Sequence, residues 1–162
     1  MIIGHLGVSA LQHRYLKADL VTVMIAGIAP DILDKTLCHL LHWLPSGRMF
    51  GHTLLGLTIS SLIIGLIWGK HIGWSWAIGY FGHLLGDIGY TVPWFYPFIH
   101  YDFKPSVSLW ETILRKLHNP AELSFELAIC VWGGYAILHP PQPSAKQTPQ
   151  HNAPLPHVDL RP

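Results

Sequence analysis

From Met49 to Gly69 the chain carries no Asp, Glu, Lys or Arg. The core of this stretch is Leu54-Leu55-Gly56-Leu57 through Leu66-Ile67-Trp68. Its length and composition suit a helix crossing a hydrocarbon layer of roughly 30 Å, which needs about 20 apolar residues. Lys70, His71 and Gly73 read as a short turn. Trp74 to Trp94 then forms a second expected span, with Asp87 as its only carboxylate. Pro93 and Pro97 break that helix, and Trp94, Phe95 and Tyr96 suit the membrane–water boundary. Ala121 to Leu138 is a third expected span, although Glu122 and Glu126 sit in its first turns. Leu20 to Pro30 is apolar but too short to cross alone, and reads as a buried or re-entrant helix.

The remaining segments are more polar. Met1 to Leu20 holds His5, His13, Arg14, Lys17 and Asp19. It lacks the basic start and apolar run of a signal peptide, and it is expected as a helix on the membrane surface or packed on the bundle. Ser106 to His118 reads as a polar helix that ends at Asn119-Pro120. From His139 the sequence is Pro-rich, polar and without periodicity, so residues 139–162 are expected to be a disordered tail. The expected fold is therefore all-α. It is a small polytopic membrane bundle of about three spans with interfacial or re-entrant helices, over residues 1–138.

Composition narrows the function. Only 12% of the residues are charged, about half the share usual in soluble domains. Seven Trp and fifteen Gly agree with a membrane location. A net charge of +1 with no basic stripe sets nucleic acid aside. Cys38 and Cys130 are too far apart in sequence to suggest a disulfide or zinc-ribbon pattern. The twelve His outnumber the ten Lys and Arg, and imidazole chemistry near neutral pH is metal ligation or proton transfer.

With three spans, residues 1–52 and 93–121 share one side of the membrane. That side holds Arg14, Lys17, Lys35, Arg48, Lys104, Arg115 and Lys116, seven basic residues against three (Lys70, Lys146 and Arg161) on the other. The bias makes the first side cytoplasmic. His52 opens the first span on that side, and the second span returns His83 and Asp87 to it. Asp31 and Asp34 lie just before the first span, and His5 precedes them. Five or six possible ligands can thus meet at one membrane face.

Each element also has a plainer reading. His83 and Asp87 are four residues apart and share a helix face. They can chelate a divalent ion, or form a hydrogen-bonded pair among Gly79, Gly82, Gly86 and Gly89, which let another backbone approach. A carboxylate in a membrane costs about 2.5–3.5 kcal/mol on insertion scales, so Asp87 needs a cavity, a partner or a metal. Pro30-Asp31-Ile32-Leu33-Asp34-Lys35 can equally be a helix start, with Lys35 neutralising Asp34. Arg48 is either a membrane-boundary anchor or a clamp on an anionic substrate. Cys38, His39 and His42 look metal-like but have no further ligand in reach. His13, His71, His100, His118 and His139 read as structural or solvated, as do His151 and His157 in the tail.

Four motifs occur in a recognisable order: His5 in Gly4-His5-Leu6; Pro30-Asp31-Ile32-Leu33-Asp34-Lys35; Gly47-Arg48-Met49-Phe50-Gly51-His52-Thr53-Leu54-Leu55; and Gly79-Tyr80-Phe81-Gly82-His83-Leu84-Leu85-Gly86-Asp87. Over roughly residues 1–103 the chain resembles the membrane-bound metal-dependent hydrolases of prokaryotic inner membranes. The resemblance implies His5, Asp31, His52, His83 and Asp87 as the polar site, with Asp34 at a second acidic position. Many members carry His before the Arg and Thr before the second His; here those positions are Gly47 and Gly51, which removes one possible ligand.

Three imidazoles with two or three carboxylates and no committed thiolate suit zinc, manganese or iron, zinc above all. Calcium or magnesium would want more oxygens. In a catalytic site Asp34 would take a proton and Arg48 would stabilise developing negative charge. The expected function is hydrolysis of an ester or phosphoester, small or lipidic, at the cytoplasmic face of the plasma membrane by a multi-pass protein. Two alternatives stand beside it. One is a non-catalytic protein in which a metal staples helices. The other is a metal or proton transporter, for which the first span offers only Thr58, Ser60 and Ser61 as a path.

Overall fold

A computed structural model describes residues 3–88, 92–103 and 107–139, and among them every regular element is helical. The helices are α1 (Gly4–Leu16), α2 (Leu20–Ala26), α3 (Ala29–Lys35), α4 (Leu54–Trp68), α5 (Lys70–Gly86), α6 (Leu109–Leu117) and α7 (Pro120–Leu138). A π-helical turn, Thr36–Leu40, continues α3, and a 3-10 turn, Phe50–His52, precedes α4.

Local chemistry sets several ends. Asp19 caps α2 by accepting from the Thr22 backbone N–H at 2.8 Å, and Thr53 caps α4 by accepting from Gly56 at 2.8 Å. Asn119 caps α7, whose first residue is Pro120. Between α4 and α5 the chain reverses through Gly69 alone. Its φ of 94° lies where only glycine is comfortable. Lys70 is therefore the first residue of α5, not part of a longer turn. The helix also stops at Gly86, well short of Trp94. The apolar run from Leu20 to Pro30 is not one helix either: it breaks at Gly27 into α2 and α3.

These boundaries bear on the expected spans. Among the described residues only α7, with 19 residues, is both long and apolar enough to cross a membrane. At 1.5 Å per residue, α4 with 15 residues is about 22 Å long, and α5 with 17 about 25 Å. Neither length covers the full hydrocarbon layer by itself. The expected polar helix appears as α6, and residues 104–106 lie outside the described part. So do residues 140–162, where the disordered tail was expected.

Packing gathers α1, α2 and α5 around a small core of Ala26, Tyr80, Leu84 and Val92, while α7 lies along α1 and α4 along α5. Gly79 lets α5 press on α2: a Cβ there would sit 2.7 Å from the Val23 carbonyl oxygen. The outer faces of α4 and α7 stay apolar and exposed, including Leu62, Leu66 and Ile67 on α4 and Phe125, Val131 and Trp132 on α7. Exposed apolar faces of this extent mark contact with lipid or another protein.

Glu126 explains how a carboxylate fits inside the apolar α7. It is buried, and it accepts hydrogen bonds from the backbone N–H groups of Ile3 at 2.9 Å and Gly4 at 3.3 Å. These are orphan donors at the N-terminus of α1, where the helix dipole favours negative charge. The contact fixes α1 one residue before His5.

Candidate metal centre

The end of the bundle opposite the Gly69 reversal collects the polar residues. α1 supplies His5. α3 supplies Asp31 and Asp34, three residues apart on one face. The 3-10 turn supplies His52, and the last turn of α5 supplies His83 with Asp87 just past it. Arg48 reaches in from the preceding loop. His5, Asp34, His52, His83 and Asp87 are all buried. The structure thus brings together all seven residues singled out in the sequence. The Cys38–His42 segment stays apart: Cys38 is a buried free thiol in the π-helical turn, and His42 is exposed with a φ of 54°.

Hydrogen bonds settle the histidine tautomers. His52 Nδ1 lies 2.8 Å from Asp34 Oδ2. A carboxylate only accepts, so Nδ1 carries the proton. His83 Nδ1 lies 2.7 Å from the Gly27 carbonyl oxygen, which likewise only accepts. With both rings neutral, each Nε2 is left with a lone pair, and the two Nε2 atoms face each other at 3.2 Å. Two lone pairs at that distance repel unless a positive charge lies between them.

Asp31 Oδ1 completes a triangle. It is 3.5 Å from His52 Nε2 and 3.9 Å from His83 Nε2. One point lies about 2.1 Å from all three atoms, which is the length of a zinc–nitrogen or zinc–carboxylate bond. A second group, His5, His83 and Asp87, also brings one ligand atom from each residue within 4.8 Å of the others. Asp31 Oδ1 and both ring nitrogens of His5 are buried without a hydrogen-bond partner. His5 Nε2 approaches Asp87 Oδ1 only to 3.5 Å, and its ring stacks on His83 with centroids 3.9 Å apart. Unsatisfied buried polar atoms are costly, and these converge on one place. The donor set of imidazoles and carboxylates fits a divalent transition ion.

Three carboxylates hold three different positions. Asp34 is fully occupied: it accepts from Met49 N at 2.6 Å, Gly51 N at 2.8 Å and His52 Nδ1. This geometry makes Asp34 the group that orients His52, where the sequence suggested a proton acceptor. Gly51 is needed for that contact, because a Cβ there would meet the Pro30 carbonyl oxygen at 2.8 Å. Asp87 accepts from Arg48 Nε at 2.8 Å. Asp31 pairs with Lys35 Nζ at 2.6 Å, so Lys35 neutralises Asp31 and not Asp34. Burial pushes the Asp31 carboxyl up, but a protonated His52 ring and the Lys35 ammonium outweigh it and hold its pKa below the usual carboxylate range.

Two supporting groups escaped the sequence reading. Tyr80 donates its hydroxyl to the Gly51 carbonyl at 2.6 Å and steadies the His52 turn from α5. The Gly27 carbonyl becomes a partner only because α2 ends there. The sole sequence signal for Tyr80 is its place three residues before His83.

Fold and site define a small all-helical membrane protein with a buried His/Asp cluster at one end of its bundle. The family model described as YdjM inner membrane protein matches residues 1–139, and the chain belongs to that family of prokaryotic inner-membrane proteins. No curated protein and no solved structure matches it.

Proposed function

We propose that the cluster binds a divalent metal ion, zinc before manganese or iron, and that the protein is a metal-dependent hydrolase of an ester or phosphoester. The observation that carries the metal is the facing pair of bare Nε2 atoms on His52 and His83, with Asp31 Oδ1 completing the triangle. His52, His83 and Asp31 hold the ion, and His5 and Asp87 stand ready beside them. The carboxylate–imidazole pair of Asp34 and His52 is the arrangement that orients metal-ligating histidines elsewhere. A bound divalent ion supplies a Lewis acid and lowers the pKa of water towards neutrality. Arg48 holds a guanidinium at the edge of the site, suited to an anionic oxygen.

The partial exposure of Asp31 and Arg48 favours catalysis over a closed structural staple, since a catalytic ion needs an open position. A transport path draws less support. The Thr58 and Ser60 hydroxyls of α4 donate to its own carbonyls, at Leu54 and Leu57. In this reading α4 and α5 enter the inner membrane as a hairpin beside α7, with the site at the cytoplasmic face and the Lys70 end outside. The deciding experiment is metal analysis of purified wild type and His83→Ala, followed by assay of the loaded protein on p-nitrophenyl phosphate and p-nitrophenyl acetate. Absence of metal from the wild type, or equal metal in both proteins, would sink the site; metal without turnover of either ester would leave a binding protein.

A further inference from the structure

Of the seven site residues, only two reach the surface: the side chain of Asp31 is 17% exposed and that of Arg48 30%. They mark the mouth. Two cations stand there, each beside a carboxylate: Lys35, 34% exposed, pairs with Asp31, and Arg48 pairs with Asp87. Each cation therefore neutralises a carboxylate of the metal cluster and remains reachable from outside. An incoming anion meets a guanidinium and an ammonium before it meets the buried imidazoles.

Large apolar side chains stand near Asp31, Arg48 and Asp87 in the chain. Ile32 follows Asp31 and is 58% exposed; Phe50 lies two residues after Arg48 and is 45% exposed; Ile88 follows Asp87 and is 66% exposed. A mouth built for a free, hydrated metabolite has no use for three large exposed apolar side chains so near its charged groups in the chain. Such a rim gains by covering hydrocarbon, at roughly 25 cal/mol per Å² of apolar surface removed from water.

Building on the metal-hydrolase reading, we propose that the substrate is an anionic amphiphile: a phosphate headgroup engages Arg48 and Lys35 while its acyl chains lie against Ile32, Phe50 and Ile88. The substrate then arrives from the bilayer, sideways into the mouth. The rim serves as its ramp, and the paired cations serve as the headgroup's landing point. Selectivity against soluble phosphates follows from the rim, since both classes present the same charge.

The test compares one headgroup with and without chains. Full-length protein in nanodiscs is loaded with cobalt(II), whose visible absorption reports anions at the site, and titrated with glycerol 3-phosphate and with dihexanoyl phosphatidate. Phosphatidate should half-saturate the spectral change at a concentration at least about tenfold lower, because burying two methylenes already contributes that much. Ile88→Asn, at an exposed position, should erase that advantage and leave glycerol 3-phosphate unchanged, whereas Arg48→Gln should weaken both. Equal half-saturation by the two ligands, or a cobalt spectrum that neither changes, would overturn the amphiphile while leaving the metal site standing. Failure to bind cobalt at all would overturn the metal reading and the amphiphile with it.

Discussion

His52 and His83 present their Nε2 atoms to each other across 3.2 Å, while each ring directs its Nδ1 proton to an acceptor on the far side. The pair comes from segments 31 residues apart in sequence. Because His83 Nδ1 is committed to Gly27, a single Nε2 lone pair serves both possible ligand groups. The expected stoichiometry is therefore one ion per chain. Saturating zinc should raise the thermal midpoint, by an amount equivalent to about 2.7 kcal/mol at 100 times Kd. His83→Ala should abolish both uptake and shift, as read by elemental analysis and melting in detergent. Two tightly held ions per chain would contradict this arrangement.

Asp34→Asn tests the orienting carboxylate. Asparagine keeps one acceptor oxygen, but its amide places a donor against N–H groups that Met49 and Gly51 already point inward. Stability should fall by about 1–3 kcal/mol, and zinc affinity by about 10–100-fold as His52 loses its partner. Calorimetric titration with zinc and a denaturation midpoint give the two numbers. Unchanged zinc affinity would return Asp34 to the role of free proton acceptor.

Glu126 should act on the site from a distance. Glu126→Ala removes the acceptor from the Ile3 and Gly4 N–H groups, so the first turn of α1 should fray and His5 lose its place. Hydrogen exchange at Leu6 to Val8 should speed up. Glu126→Gln keeps an acceptor for these two N–H groups and gives up the charge at the helix dipole, worth about 0.3–1 kcal/mol. Equal exchange rates in the two variants would show that the hydrogen bonds do not anchor the helix.

Asp19 gives a pH signature far from the metal. Its pKa is lowered by the side-chain and backbone hydrogen bonds of Thr22. A carboxylate whose folded pKa lies below its unfolded one, about 3.9, stabilises above that value and loses the contribution as pH falls through the folded pKa. Asp19→Ala should cost about 1 kcal/mol at pH 7. The difference from wild type should shrink as pH drops below about 4. Parallel denaturation curves at pH 7 and pH 3 decide it; a gap that persists at pH 3 would mean the cap works without its charge.

Gly79→Ala probes the contact of α5 with α2. Its new Cβ would meet the Val23 carbonyl oxygen at 2.7 Å, and backbone cannot swing aside as a side chain can. Overpacking should cost about 1–3 kcal/mol. Gly134→Ala, with open space around it, should be neutral or slightly stabilising through helix propensity. If Gly79→Ala melts no lower than Gly134→Ala, the close contact is not structural.

What the sequence could determine by itself was local. Apolar runs and breakers marked α7 closely and α4 and α5 in outline, because apolar length and proline act within one segment. The candidate residues were legible because His and Asp are conspicuous in apolar surroundings, and because one helical reversal must return Asp87 and His83 to the end where His52 starts. Tertiary structure alone decided the rest. A carboxylate's work depends on which donors meet it: Met49 and Gly51 took up Asp34, Lys35 chose Asp31, and Arg48 chose Asp87. Glu126 looked like a flaw in a span until α1 brought its unpaired N–H groups alongside. Gly27 and Tyr80 carry no chemical flag in the sequence, yet they hold His83 and the His52 turn in place. Hydrogen bonds are directional and reach only about 3 Å, so these partners exist only once distant segments have packed.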